Sequence, residues 1–207
     1  MRYFHLASVW ISSNIVENSF KDYLVQKIPG LKTTLLTLFT LILSATSNAQ
    51  TPSFKDGSVI IGFGKSAAIA THTVPEDAKF KVAFDVASTG DSGELNRKFD
   101  SLARFINMHV AAGVKKENIQ LALVVHGKAT LDLLDNPDYQ KKYAQDNPNK
   151  PLLNALMQNN VRVILCGQSA AANEIDASQL IKGVEVELSA MTAHALLQQS
   201  GYTVNPF

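Results

Sequence analysis

The chain has 207 residues, 46% apolar and 18% charged, with a formal net charge of +1. That balance is globular and excludes disordered and fibrous classes. From Gln50 onward 15 basic residues stand against 16 acidic ones, with no basic stripe. The dense phosphate-neutralising charge of a nucleic-acid binder is therefore excluded.

Taken in chain order, the first signal is an export signal. Lys32 precedes an apolar run of Leu35, Leu36, Leu38, Phe39, Leu41, Ile42 and Leu43, and small residues follow up to Ser47 and Ala49. This order predicts a secretory signal cleaved after Ala49. The run is shorter than the ~20 residues a bilayer span needs, so no stable membrane span is expected after processing. Residues 1–49 are thus predicted to be an N-terminal extension plus signal peptide, and Met1 to Gly30 a gene-start extension ahead of a start at Leu31. Residues 50–207 are predicted to be one domain, placed in the periplasm or otherwise exported. Its lone cysteine, Cys166, cannot form an intramolecular disulfide. The remaining 158 residues suffice for an apolar core.

Val59 to Gly64 predicts a short strand ending in glycines, and Lys65 to Ala78 a loop. Phe80 to Val86 predicts a strand of strong β formers, and Ser88 to Gly93 a turn. Leu95, Phe99, Leu102, Phe105, Ile106 and His109 recur at helical spacing until Gly113, which makes His109 a packed core residue. Ile119 to Val125 is a near-continuous apolar run, the pattern of a strand covered on both faces. Asn136 and Pro137 predict a helix cap and first turn, with Tyr139 and Tyr143 on one face as a candidate interface. Asn147-Pro148-Asn149 breaks that helix. Pro151 opens another, which buries Leu152, Leu153, Leu156 and Met157. Val161 to Cys166 predicts the third core strand, followed by an alanine-rich helix. Val184 to Leu188 alternates, as a strand near an edge does. Ser189 predicts the cap of a last helix with Met191, Ala195 and Leu196 inward, ending at Gly201. Strands and helices alternating at short connections predict an α/β fold, a three-layer sandwich with a mostly parallel sheet and helices on both faces.

In such sheets ligands gather at the C-terminal strand ends. Those ends carry Asp85 and Ser88, His126 and Gly127, Cys166 and Gly167, and Ser189. Cys166 precedes a helix, whose N–H groups favour a thiolate, and Gly167 lets the backbone turn there. It reads equally as a small buried core residue. His126 polarises Cys166 or a ligand if their strands are neighbours; otherwise it bonds backbone. His194 reads as a helix-surface residue, and His72 lies in a loop. No HxxH, HExxH or CxxC spacing is present, so neither a metal nor a cofactor is expected. Gly64-Lys65-Ser66 is rejected as a phosphate loop because Val59 stands where that motif needs glycine.

The segments Val124-Val125-His126-Gly127-Lys128-Ala129, Asn147-Pro148-Asn149, Val163-Ile164-Leu165-Cys166-Gly167-Gln168-Ser169, Val184 to Thr192 and Gly201-Tyr202 carry a resemblance. Weaker matches extend to Val59 to Gly64 and Phe84-Asp85-Val86. Together they resemble the DsrE/DsrF-like family, especially its exported branch. The resemblance implies a small parallel-sheet fold and a homo-oligomer, often a trimer or hexamer. It also implies sulfur relay through a persulfide on a cysteine before an alanine-rich helix, with a sulfur donor or acceptor protein as partner. Cys166, followed by Ala170-Ala171-Ala172, matches that cysteine. The expected function is sulfur transfer on Cys166 with His126 assisting, and Gly127, Gly167, Gln168, Ser169, Ser189 and Asp85 forming the binding surface. The alternative is a non-catalytic ligand-binding or assembly module in which Cys166 only lines the pocket.

Overall fold

The β-branched and aromatic run Phe80–Val86 forms β1, and the apolar run Ile119–Val125 forms β2. β3 is Arg162–Cys166, β4 Glu185–Glu187 and β5 Thr203–Asn205. The helices are α1 (Arg97–Ala111), α2 (Asn136–Tyr143), α3 (Lys150–Gln158), α4 (Gly167–Ala172) and α5 (Ala190–Gln199). The computed structural model describes residues 53–71, 73–91 and 93–206. The predicted signal segment and His72 lie outside these described residues.

All neighbouring strands pair in parallel, in the order β4-β3-β2-β1-β5. The architecture is the predicted α/β type. From β1 to β4 each step moves to the next strand in one direction. Right-handed crossovers therefore put all three connections on one face. The step from β4 to β5 runs back past β3, β2 and β1, so its helix, α5, must lie on the other face.

The two faces are packed accordingly. On the first, Val82, Phe84, Val86, Leu121, Leu123, Val125, Val163 and Leu165 meet Phe99, Leu102 and Ile106 of α1 and Leu152, Leu153 and Leu156 of α3. On the second, Ala83, Ala122, Val124 and Ile164 meet only Ala193 and Leu197 of α5, with Ala190 and Tyr202 at the margin. Small residues on the sheet let this single helix approach closely.

Several predicted details are corrected. Val59 to Gly64 forms bends and turns, not a strand. The Asn107 side chain on α1 accepts from the N–H groups of Val59 and Ile60 and donates to the carbonyls of Ile60 and Phe63, replacing a strand ladder. The cap of α2 is Asp135, not Asn136. The inward face of α5 is Ala193 and Leu197, while Met191 is 80% exposed and Ala195 and Leu196 face outward. Tyr139 is buried, its ring centroid 4.6 Å from that of half-buried Tyr143. His109 is half-buried, its ring stacked on Phe105, and it bonds the Phe105 carbonyl at 2.7 Å. Among the described residues, no helix is long and apolar enough to cross a membrane.

Candidate functional site

The helices leaving β3 and β4 set the site. α4 starts directly after β3 and packs with the face that α1 and α3 cover, through Ala170. α5 starts two residues after β4 and covers the opposite face. Connections from adjacent strands that part to opposite faces open a crevice at the strand ends, the usual ligand position in open parallel sheets. Cys166 ends β3 inside that crevice.

Cys166 is only 6% exposed. Burial pushes its thiol up. The Ser169 hydroxyl and the N–H groups of Ser169, Ala190 and Gln168 more than offset this, and the net effect holds the thiol below its ordinary value. Thus the first turns of both helices favour one thiolate. Cys166 forms no side-chain cap bond to α4.

The neighbouring groups hold this arrangement. Ser169 Oγ accepts the Gly127 N–H at 3.0 Å, which joins the end of β2 to α4 and leaves the hydroxyl hydrogen free for the sulfur. Gly127 has φ +58, and a Cβ there would lie 2.8 Å from the Ala87 carbonyl oxygen. Gly167 is limited by space alone and not by its backbone angle, since it is helical and a Cβ would lie 2.8 Å from the Glu187 carbonyl oxygen. The Gln168 side chain donates to the Leu188 carbonyl at 3.3 Å. Ser189 Oγ caps α5 by accepting the Thr192 N–H at 3.0 Å, as predicted.

Asp85, on β1, faces α5 beside this crevice. Its carboxylate accepts from His194 Nε2 at 2.7 Å and from His126 Nε2 at 3.2 Å. Partial burial works against the charge, but the hydrogen bonds and charges of the two imidazoles prevail and hold the carboxyl below its ordinary value. His126 therefore bonds a carboxylate, not backbone. His194 is not the surface residue its position suggested: its side chain is 16% exposed and its Nδ1 is buried without a hydrogen-bond partner. Sequence reasoning missed it because Asp85 lies 109 positions away. The available signal was its spacing of four from Ala190, on the helix side that meets the sheet.

A second polar cluster went unpredicted. The buried Asp132 carboxylate accepts from Thr89 and Asn96, each at 2.8 Å. Asn147 donates to the Asp132 and Leu134 carbonyls, and Asn149 accepts the Asn96 N–H at 2.7 Å. Asn147-Pro148-Asn149 thus clamps the loop after β1, besides breaking a helix. Among the described residues, no group of three or more His, Cys, Asp or Glu side chains is arranged to hold a metal ion. In the Asp85 cluster both Nε2 atoms point at the carboxylate rather than outward.

No curated protein sequence matches the chain. Among solved structures, it is similar to a protein of unknown function, MTH1491, from Methanobacterium thermoautotrophicum. The identity is 17% and the TM-score 0.48, over 62% of this chain and 100% of that one. It is also similar to the ychN protein of E. coli, with 26% identity and a TM-score of 0.45, over 62% of this chain and 99% of that one. The profile of the DsrE/DsrF-like family matches residues 81–206, from β1 through β5 and including Asp85, His126, Cys166 and His194, and the chain belongs to that family.

Proposed function

We propose that the protein is a sulfur carrier, with Cys166 as the atom that holds the sulfur. Family membership supports a sulfur-relay-related function in general. The observation that carries the finer reading is the convergence of two helix starts on a single thiol, which favours its thiolate in spite of burial. A thiolate is the nucleophilic form of cysteine. With a thiosulfonate, the Cys166 thiolate attacks the outer sulfur. An S–S bond forms on Cys166, the donor's S–S bond breaks, and its electron pair leaves with the sulfinate. The product is a Cys166 persulfide, and no external oxidant or reductant is consumed. The same N–H groups then face the persulfide anion.

We extend the reading to an exported homo-oligomer, a trimer or hexamer, acting with a donor or acceptor protein. Support comes from the signal-like segment before Gln50 and from Leu188 and Met191, both exposed at the rim of the crevice on either side of Ser189 and Ala190. An apolar rim is where a partner or second copy would dock.

Intact mass after incubation with a thiosulfonate tests the carrier step. The wild type should gain one sulfur and Cys166→Ser none. No adduct on the wild type, or an equal adduct on Cys166→Ser, sinks the reading. One observation favours a second reading, a non-catalytic binding or assembly module: the thiol is nearly buried. Titration of the native thiol with a bulky reagent separates the two. A carrier reacts while folded and at a pH below the ~8.5 of a free thiol; a lining residue reacts only after unfolding.

A further inference from the structure

Asp85, His126 and His194 form a connected set of titratable groups that holding a sulfur on Cys166 does not by itself require. An ionised carboxylate only accepts, so both Nε2 atoms bonded to Asp85 carry hydrogen. One nitrogen on each ring is left to exchange a proton. His194 Nδ1 is buried without a partner, so a proton there has no outlet in the fold. The His126 side chain is 31% exposed, so its ring is the outlet of the set.

Two placements tie this set to Cys166. His126 and Cys166 directly follow the paired residues Val125 and Leu165, and both keep extended backbone. They therefore stand side by side on the α5 face of the sheet, about 4.8 Å apart between strands. Along α5, Ala190 and His194 are four residues apart, on one side of the helix. The first directs its N–H toward the sulfur and the second its Nε2 toward Asp85.

We propose, resting on the carrier reading, that His126 is the general acid that protonates the leaving group when sulfur passes to Cys166, with Asp85 and His194 as the residues that position its ring. For a persulfide donor R–S–SH the step balances as follows. The Cys166 thiolate attacks the outer sulfur, and the donor's S–S bond breaks with its electron pair on R–S⁻. The imidazolium Nδ1–H of His126 gives that thiolate its proton. Cys166–S–SH, R–SH and neutral His126 result. A sulfinate leaving group is too weak a base to need the proton. The acid therefore matters for donors with basic leaving groups and not for thiosulfonates. Other charges near the set are few. Glu187, beside Cys166 on β4, accepts the Leu188 N–H at 3.0 Å; Lys128 is exposed; α4 and β5 bring no charged residue.

The test measures sulfur uptake by the full chain from a thiosulfonate and from persulfides whose leaving thiols span a range of acidity. In the wild type the persulfide rate should vary little with the leaving thiol and, unlike the thiosulfonate rate, show a falling limb at high pH. His126→Gln should slow uptake from the least acidic persulfide at least tenfold and make the rate climb with thiol acidity, while thiosulfonate uptake changes less than about threefold. Asp85→Asn and His194→Gln should shift the pH limb of the persulfide rate. A steep dependence on the leaving thiol in the wild type overturns the assignment without any variant. So does an equal loss with both donors in His126→Gln. If the wild type takes sulfur from neither donor, the carrier reading fails first and this one falls with it; uptake from both with no difference in His126→Gln removes only the general acid.

Discussion

The two faces of the sheet differ in thickness and in task. One is covered by α1 and α3 with large aliphatic and aromatic side chains. The other is covered by α5 alone, over alanines and two β-branched residues. Asp85, His126 and Cys166 all belong to the thin face, in line with Ala83, Val124 and Ile164. The helix addressing the site needs close approach more than bulk. Ala83 and Ala122 let α5 lie near enough for the Ala190 N–H to act on the sulfur and for His194 to reach Asp85. Stability is supplied largely by the other face, where α1 and α3 carry none of this chemistry and only the start of α4 acts on the sulfur.

The largest expected effect separates those tasks on the thick side. Phe99 is fully buried on α1. Phe99→Ala should cost about 3–5 kcal/mol, from lost burial plus the cavity left behind. Denaturant unfolding measures it, and thiol titration of the folded fraction should give an unchanged Cys166 value. A Cys166 value that moves with Phe99→Ala would contradict this, because it would mean that the packing of α1 and α3 also tunes the thiol.

A smaller loss of stability with a larger loss of function is expected on the thin side. Ala83 is fully buried under α5. Ala83→Leu adds volume where the helix is closest and should cost about 1–3 kcal/mol by overpacking. The displaced helix carries the Ala190 N–H away from the sulfur, so the thiol should rise toward its ordinary value. The pH dependence of alkylation reads this directly. An unchanged profile would show that α5 is not what favours the thiolate.

The same contrast explains how much was legible in the sequence. β1, β2 and β3 stand out because strands buried on both faces read as unbroken apolar runs. α1 stands out because a thick core demands a wide apolar stripe. The thin face hides its pattern. Its helix buries Ala193 and Leu197 and leaves Met191 exposed, so weighting residues by hydrophobicity selects the wrong side. β5 is three residues long, too short for alternation to register. Val59 to Gly64 has the composition of a strand, but its backbone partner is one side chain, Asn107, which lies 47 positions from Ile60. Cys166 was legible as a strand end before a helix. The convergence of two helices on it was not, because that depends on the strand order.

The smallest effect is in the acid limb, where two carboxyls should pull in opposite directions. Asp85 is held below the ordinary carboxyl value against the opposition of burial, by hydrogen bonds and charge from His194 and His126. Its contribution to stability is complete above that ordinary value, ~3.9, and is lost as pH falls through its lower folded value. Asp132 is raised, first by burial, which outweighs the bonds from Asn96, Thr89 and the Gly90 backbone. The folded state then binds the proton more readily than the unfolded one, so stability rises as pH falls from neutral toward the ordinary value. Asp132→Asn should abolish that rise, while Asp85→Asn should leave it and flatten the loss at lower pH. Denaturant midpoints across the acid range check both. If the two variants alter the same part of the curve, the carboxyls are not set by separate surroundings, and the division of the molecule into a packing face and a chemical face fails where it is most directly measured.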